Sequence, residues 1–134
     1  MDYRVFAPTK IYVDKSPVHG YGVFAKENIS EGEIFEECIL LTLPIQHGTT
    51  SDYLVDYRFN WPQGEVWEEQ VCALGFGSLY NHSETPNAYW RSNLEKKTFE
   101  FVSYRKILAG EEIFIWYGGS NYWNDGRSHV NLVS

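Results

Sequence analysis

Turn-forming residues interrupt this chain so often that only short segments are left between them. Breaks fall at Asp14-Lys15-Ser16-Pro17, Gly20 to Gly22, Ile29 to Glu33, Pro44, Pro62-Gln63-Gly64, Gly75, Asn81 to Asn87, Ser92 to Lys97, Ala109 to Glu112 and Gly118-Gly119-Ser120. Most segments between the breaks are rich in β-branched and aromatic residues, and they read as strands: Ile11–Val13, Val23–Ala25, Ile34–Leu43, Ala88–Arg91, Thr98–Ser103 and Ile113–Tyr117. Tyr53–Trp61 alternates loosely and reads as a strand or a strand pair. Val66–Leu74 reads as one short helix with Gly75 as its stop. The pattern predicts a mainly β fold with little helix.

With 134 residues the chain is one domain, long enough to build a core without staples. Its 43% apolar content places it among globular chains. Aromatics reach 17%, a surplus that suits pockets or grooves where a ring offers area and a polar edge. Cys38 and Cys72 stand in apolar surroundings and read as free thiols. No apolar run follows Met1-Asp2-Tyr3-Arg4, so no signal peptide is expected, and no run is long enough to span a membrane. The net charge of −7 disfavours binding to nucleic-acid phosphates and favours a cationic partner. Between positions 49 and 70, Asp52, Asp56, Glu65, Glu68 and Glu69 face a single arginine, Arg58. That stretch is either a solvated face or one wall of a groove for a basic peptide.

Asn81-His82-Ser83-Glu84-Thr85-Pro86-Asn87 is polar and turn-rich, yet Leu79 and Tyr80 press on it from one side and Tyr89 and Trp90 from the other. A plain surface loop has little use for that company, so the stretch reads as half of an active site, with the other half near Glu111 to Tyr117. Several chemistries are disfavoured. Gly20-Tyr21-Gly22 has no third glycine and no helix after it, so it is not a dinucleotide turn. It is either a glycine-rich hairpin or a backbone left bare for a ligand. His19, His47, His82 and His129 lack metal-ligand spacing, and no metal is expected. No phosphate loop or nucleophile elbow occurs, and nothing near Cys72 and His82 lowers a thiol pKa. Adjacent residues in a strand face opposite ways, so Glu111 and Glu112 read as a charged turn.

In chain order, Gly20-Tyr21-Gly22, Gly75-Phe76-Gly77-Ser78-Leu79-Tyr80-Asn81-His82-Ser83, Pro86-Asn87 and Gly110-Glu111-Glu112-Ile113-Phe114-Ile115-Trp116-Tyr117-Gly118 resemble the SET-domain lysine methyltransferase family, above all its short stand-alone viral and bacterial members. The resemblance runs from about Ile11 to Trp123. It implies several short strands in small sheets and a C-terminal pseudo-knot that brings the two late motifs together. It also implies a single domain over 1–134, with a core of about 11–118 and a tail, 119–134, that closes the cofactor pocket.

The cofactor implied is S-adenosylmethionine. By resemblance the backbone of Gly20, Tyr21 and Gly22 contacts its methionine part, and Asn81 and His82 hold its amino-acid and adenine ends. Trp123 covers the adenine, and Tyr117 is the catalytic tyrosine. Trp90 stands beside the substrate lysine nitrogen, and Tyr53 lines the lysine channel. The partner implied is a lysine-containing protein or peptide such as a histone tail, met inside the cell, in the cytoplasm or a host nucleus. The family's cysteine-rich zinc flanks are absent, so the tail closes the pocket another way, a second subunit of a homodimer being one. Gly119 replaces a second tyrosine found in some members, which leaves the number of methyl groups added open. A non-catalytic SET-like module that holds a peptide or methyl-lysine is the other reading.

Overall fold

A computed structural model describes residues 2–43, 58–62 and 69–117. Nine strands account for about half of them: β1 (Ile11–Lys15), β2 (Tyr21–Ala25), β3 (Ile34–Thr42), β4 (Arg58–Trp61), β5 (Glu69–Ala73), β6 (Asn81–His82), β7 (Ala88–Asn93), β8 (Thr98–Ser103) and β9 (Glu112–Ile115). A 3-10 turn, Gly77–Leu79, precedes β6. The mainly β fold expected from the turn spacing is what forms.

The strands make two sheets. One has the order β1-β2-β9-β6, the other β4-β5-β3-β8-β7. The β1–β2 hairpin and the β7–β8 hairpin are local, and each closes on a turn visible in the sequence. β4 and β5 also follow each other directly, and the other pairings are distant. β9 lies antiparallel to β2 on one side and parallel to β6 on the other. Parallel neighbours cannot be joined by a tight turn, and here the chain between β6 and β9 travels through β7 and β8 of the other sheet. A separate two-way bridge joins Ile29 to Ile107, each backbone N–H donating to the other's carbonyl at 2.8 and 2.9 Å.

Val23, Ala25, Ile29, Ile107, Ile113 and Ile115 meet Phe99, Phe101 and Tyr80 in one continuous core. Each large apolar side chain buried in this way contributes about 1.5–3 kcal/mol against the entropy of ordering the chain. Stacking of Tyr80 on Phe101, at 4.6 Å between ring centres, links the loop before β6 to the five-stranded sheet.

One expectation fails. Over its described part, the helix expected at Val66–Leu74 is strand β5. Val71 and Ala73 are buried while Gln70 before them and Cys72 between them are half-buried, which is period two. β4 pairs on one side of it and β3 on the other, and those ladders outweigh the local preference of a short apolar run. The last strand also stops earlier than expected, at Ile115. The next carbonyls and amides leave the ladder, and the Tyr117 N–H turns to a side chain of β6.

Candidate active site

The site lies where β2, β6 and β9 run side by side. β6 contributes two residues, and each has a separate task. The carboxamide of Asn81, only 4% exposed, donates from Nδ2 to the His19 carbonyl at 3.0 Å, to the Tyr21 carbonyl at 3.4 Å and to Glu112 Oε2 at 2.9 Å. Asn81 therefore holds the turn before β2 from within. His82 faces the end of β9. Its Nδ1 accepts the Tyr117 N–H at 2.9 Å, so a neutral ring carries its proton on Nε2, which lies 3.4 Å from Glu84.

Tyr117 is fixed at three points. Its N–H is held by His82, and its ring lies 5.2 Å from the imidazole, tilted by 58°. Its hydroxyl donates to the Tyr80 carbonyl at 2.6 Å. Residues 80 to 82 thus place both the backbone and the hydroxyl of residue 117, although the two segments are far apart in sequence.

Glu112 anchors the opposite wall. Its carboxylate accepts the Ser16 hydroxyl at 2.8 and 3.0 Å, besides the Asn81 amide. Ser16 Oγ in turn accepts the N–H of Val18 at 2.9 Å and of His19 at 3.3 Å. One carboxylate therefore organises the turn from Ser16 to Gly22 through a serine and an asparagine. Gly22 is bare because a Cβ there would collide with Glu112 Oε2 and come within 3.1 Å of Asn81 Nδ2. Gly20 is different: it has φ +47° and open space around it. Tyr21 beside it is 58% exposed. The turn is clamped inside and bare outside, which is the form a backbone cradle for a ligand requires.

Asn87 closes the loop after β6. Its side chain, 3% exposed, donates to the Glu112 carbonyl at 2.9 Å and accepts the Phe114 N–H at 2.8 Å. A carboxamide here does the work of a neighbouring strand along β9.

Compared with known proteins, residues 20–118 match the family model of the SET domain. The chain belongs to the SET-domain family. A curated relative from Schizosaccharomyces pombe (strain 972 / ATCC 24843), the histone-lysine N-methyltransferase described as H3 lysine-37 specific, is 32% identical over 119 residues, which is 86% of this chain and 78% of that protein. The crystal structure of a Plasmodium falciparum protein named for histone methyltransferase activity superposes with a TM-score of 0.69 at 34% identity, covering 84% of this chain and 96% of that one. A chain of ctPRC2, solved in complex with H3K27me3 and H3K27M, gives a TM-score of 0.64 at 25% identity over 85% of this chain and 15% of that one. This SET protein is a protein-lysine methyltransferase.

Of the residues expected at its site, the structure gathers Gly20, Tyr21, Gly22, Asn81, His82 and Tyr117 around the three strands. Trp90 sits on β7 in the other sheet, edge-on to Phe59 at 5.3 Å and to Phe99 at 6.5 Å. Tyr53, Trp123 and the tail lie outside the described residues. Sequence reasoning missed Ser16, Glu112 and the Tyr80 carbonyl. Glu111 does form the charged turn, accepting the Leu108 N–H at 2.7 Å and meeting Arg105 at 3.4 Å. Glu112 opens β9 and turns to Ser16 and Asn81, on the face away from the buried Ile113 and Ile115, as strand alternation requires.

Proposed function

We propose that this SET protein transfers a methyl group from S-adenosylmethionine to the side-chain amine of a lysine in a histone tail or a similar lysine-rich protein. The observation that carries the reading is the three-point fixation of Tyr117 beside a backbone turn that is clamped within and open without. In this reading the turn at Gly20, Tyr21 and Gly22 receives the methionine part of the cofactor, and Asn81 and His82 keep that wall in place. When bound, the cofactor supplies an electrophilic methyl on a sulfonium.

The chain's own residues align and desolvate the amine. A lysine amine has a pKa of about 10.4, so at pH 7 roughly 4–5 kcal/mol oppose its reactive neutral form. Aromatic walls penalise the ammonium, and Tyr117 gives the amine a fixed hydrogen-bonding partner. Trp90 supports a role beside the substrate: its indole N–H is buried with no acceptor among the described residues, which leaves a donor for an atom that enters. A net charge of −7 suits a cationic tail. The histone-directed names of its relatives make histone H3 the first substrate to try, and they favour an intracellular, nuclear setting.

The test is Tyr117→Phe. Methyl transfer to histone H3, read by radiolabel and by mass spectrometry of the labelled lysine, is expected to fall about 100-fold or more, within the span of a lost positioning and proton-handling group. Calorimetric binding of S-adenosylmethionine is expected to persist. Unchanged transfer would remove Tyr117 from the chemistry, and absent cofactor binding by the wild-type chain would overturn the reading as a whole.

A further inference from the structure

β3 breaks register with β8 between Ile34 and Glu36. A regular strand buries alternate residues, but here Phe35 and Glu36 are buried one after the other. The irregularity turns a carboxyl group into the core, where Glu36 is 3% exposed. Burying such a group is costly unless each oxygen finds a donor. Both do. Tyr80 donates its hydroxyl to Oε1 at 2.6 Å, and the Phe76 N–H donates to Oε2 at 2.8 Å. The Cys38 thiol adds a third contact. Gly75 is cut to fit, since a Cβ at that position would come within 2.8 Å of Oε2.

These donors belong to the segment that leads into β6. Glu36 pins it at Phe76 and at the tip of the Tyr80 ring. Phe101 stacks on that ring, and Phe35 meets its edge at 6.0 Å. A side chain held at its tip and on two sides fixes its own backbone. The fixed backbone includes the Tyr80 carbonyl, which receives the Tyr117 hydroxyl.

We propose that Glu36 is a positioning residue for Tyr117, acting through Tyr80: the register break in β3 exists to hold the carbonyl that aims the tyrosine hydroxyl. This rests on the reading of Tyr117 as the residue at the chemistry. Glu36 touches neither substrate nor cofactor. Its effect therefore passes entirely through the Tyr80–Tyr117 hydrogen bond, and it disappears when that bond cannot form.

The experiment is a double-mutant cycle. Glu36→Leu removes the acceptor for both Phe76 and Tyr80. In the wild-type background kcat is expected to fall about tenfold, with KM for S-adenosylmethionine within about twofold. In the Tyr117→Phe background, read by long radiolabel incubations, the same change is expected to alter kcat by less than about twofold. Glu36→Gln accepts from Phe76 and donates to the Tyr80 oxygen, and it restores most of the turnover. Should Glu36→Leu fail to fold, Tyr80→Phe removes the Glu36 contact alone and runs through the same cycle. Equal fold-losses in both backgrounds would overturn the proposal and leave Glu36 as a packing group. Full turnover by Tyr117→Phe by itself is a separate failure, that of the catalytic role of Tyr117, and it is read before Glu36 is changed.

Discussion

Gly22 and Gly20 lack side chains for opposite reasons. At Gly22 a protein carboxylate already occupies the place of a Cβ. Gly22→Ala must displace Glu112 or the Asn81 amide, and with them the hydrogen bonds to Ser16 and to the turn. Forced contacts of this kind cost about 1–3 kcal/mol. The expected outcome is a stability loss of that size in urea melts, and S-adenosylmethionine binding weakened about tenfold or more by calorimetry. Weakened binding with no loss of stability would mean that the alanine obstructs the ligand directly. The glycine pair was legible in the sequence as bare backbone. What the sequence could not show is that half of the bareness is demanded from inside, because Glu112 lies some 90 residues away in the chain. The sequence hinted only that neighbouring Glu111 and Glu112 point different ways.

Asn87 works at the scale of an element. β9 runs between β2 and the very short β6, so its backbone outlasts its strand neighbours. The Asn87 carboxamide takes up the Glu112 carbonyl and the Phe114 N–H. Asn87→Ala leaves both groups without that partner, at about 1–3 kcal/mol for each buried group that water cannot reach. A loss of about 2–4 kcal/mol in urea melts is expected. Asn87→Asp keeps the acceptor for Phe114 but sets a carboxylate oxygen against a carbonyl, so it is expected to recover little. Near-full stability in Asn87→Asp would point to a simple polar cap. Strands with strong local signals, such as Thr98–Ser103, were legible to the residue. β5 was misread because Val71-Cys72-Ala73 is apolar without a distinct period, and its identity as a strand comes from β3 and β4.

Across the molecule, proton binding divides by depth. Burial pushes the Glu36 carboxyl above its ordinary value of 4.5, an effect that the Tyr80 and Phe76 donors only partly offset. Burial raises the Cys38 thiol and the Tyr80 phenol in the same direction. In each case the folded chain keeps a proton that the unfolded chain has released. Stability therefore falls as pH rises from the ordinary value of each group towards its folded value. Near the surface, Glu33 loses some of its acidity to burial but gains more from Lys10 and the Ser30 N–H, and its net shift is downward. Glu111 is lowered by the Leu108 N–H and by Arg105. These two support the fold above the ordinary carboxylate value and lose that support as pH falls through their lowered values. Urea melts across pH are expected to place the optimum on the mildly acid side of neutrality. Glu36→Gln should flatten the decline above it, and an unchanged slope would show that the carboxyl titrates normally. Turnover should run the opposite way, rising between about pH 7 and 9 as the substrate amine loses its proton.

β9 is the last strand among the described residues, yet it is laid into the middle of its sheet, between the second strand and the sixth. A ribosome that has released residues 1–110 has delivered both flanking strands and the whole Asn81–Asn87 loop. It has not delivered the piece that unites them. Until β9 arrives, Asn81 lacks Glu112, His82 lacks the Tyr117 amide, and the Tyr80 carbonyl lacks its hydroxyl. Contacts across such long sequence separations close late and slowly. A chain that stops short of β9 therefore has neither Tyr117 nor the Glu112 carboxylate that clamps the turn at Gly20 to Gly22.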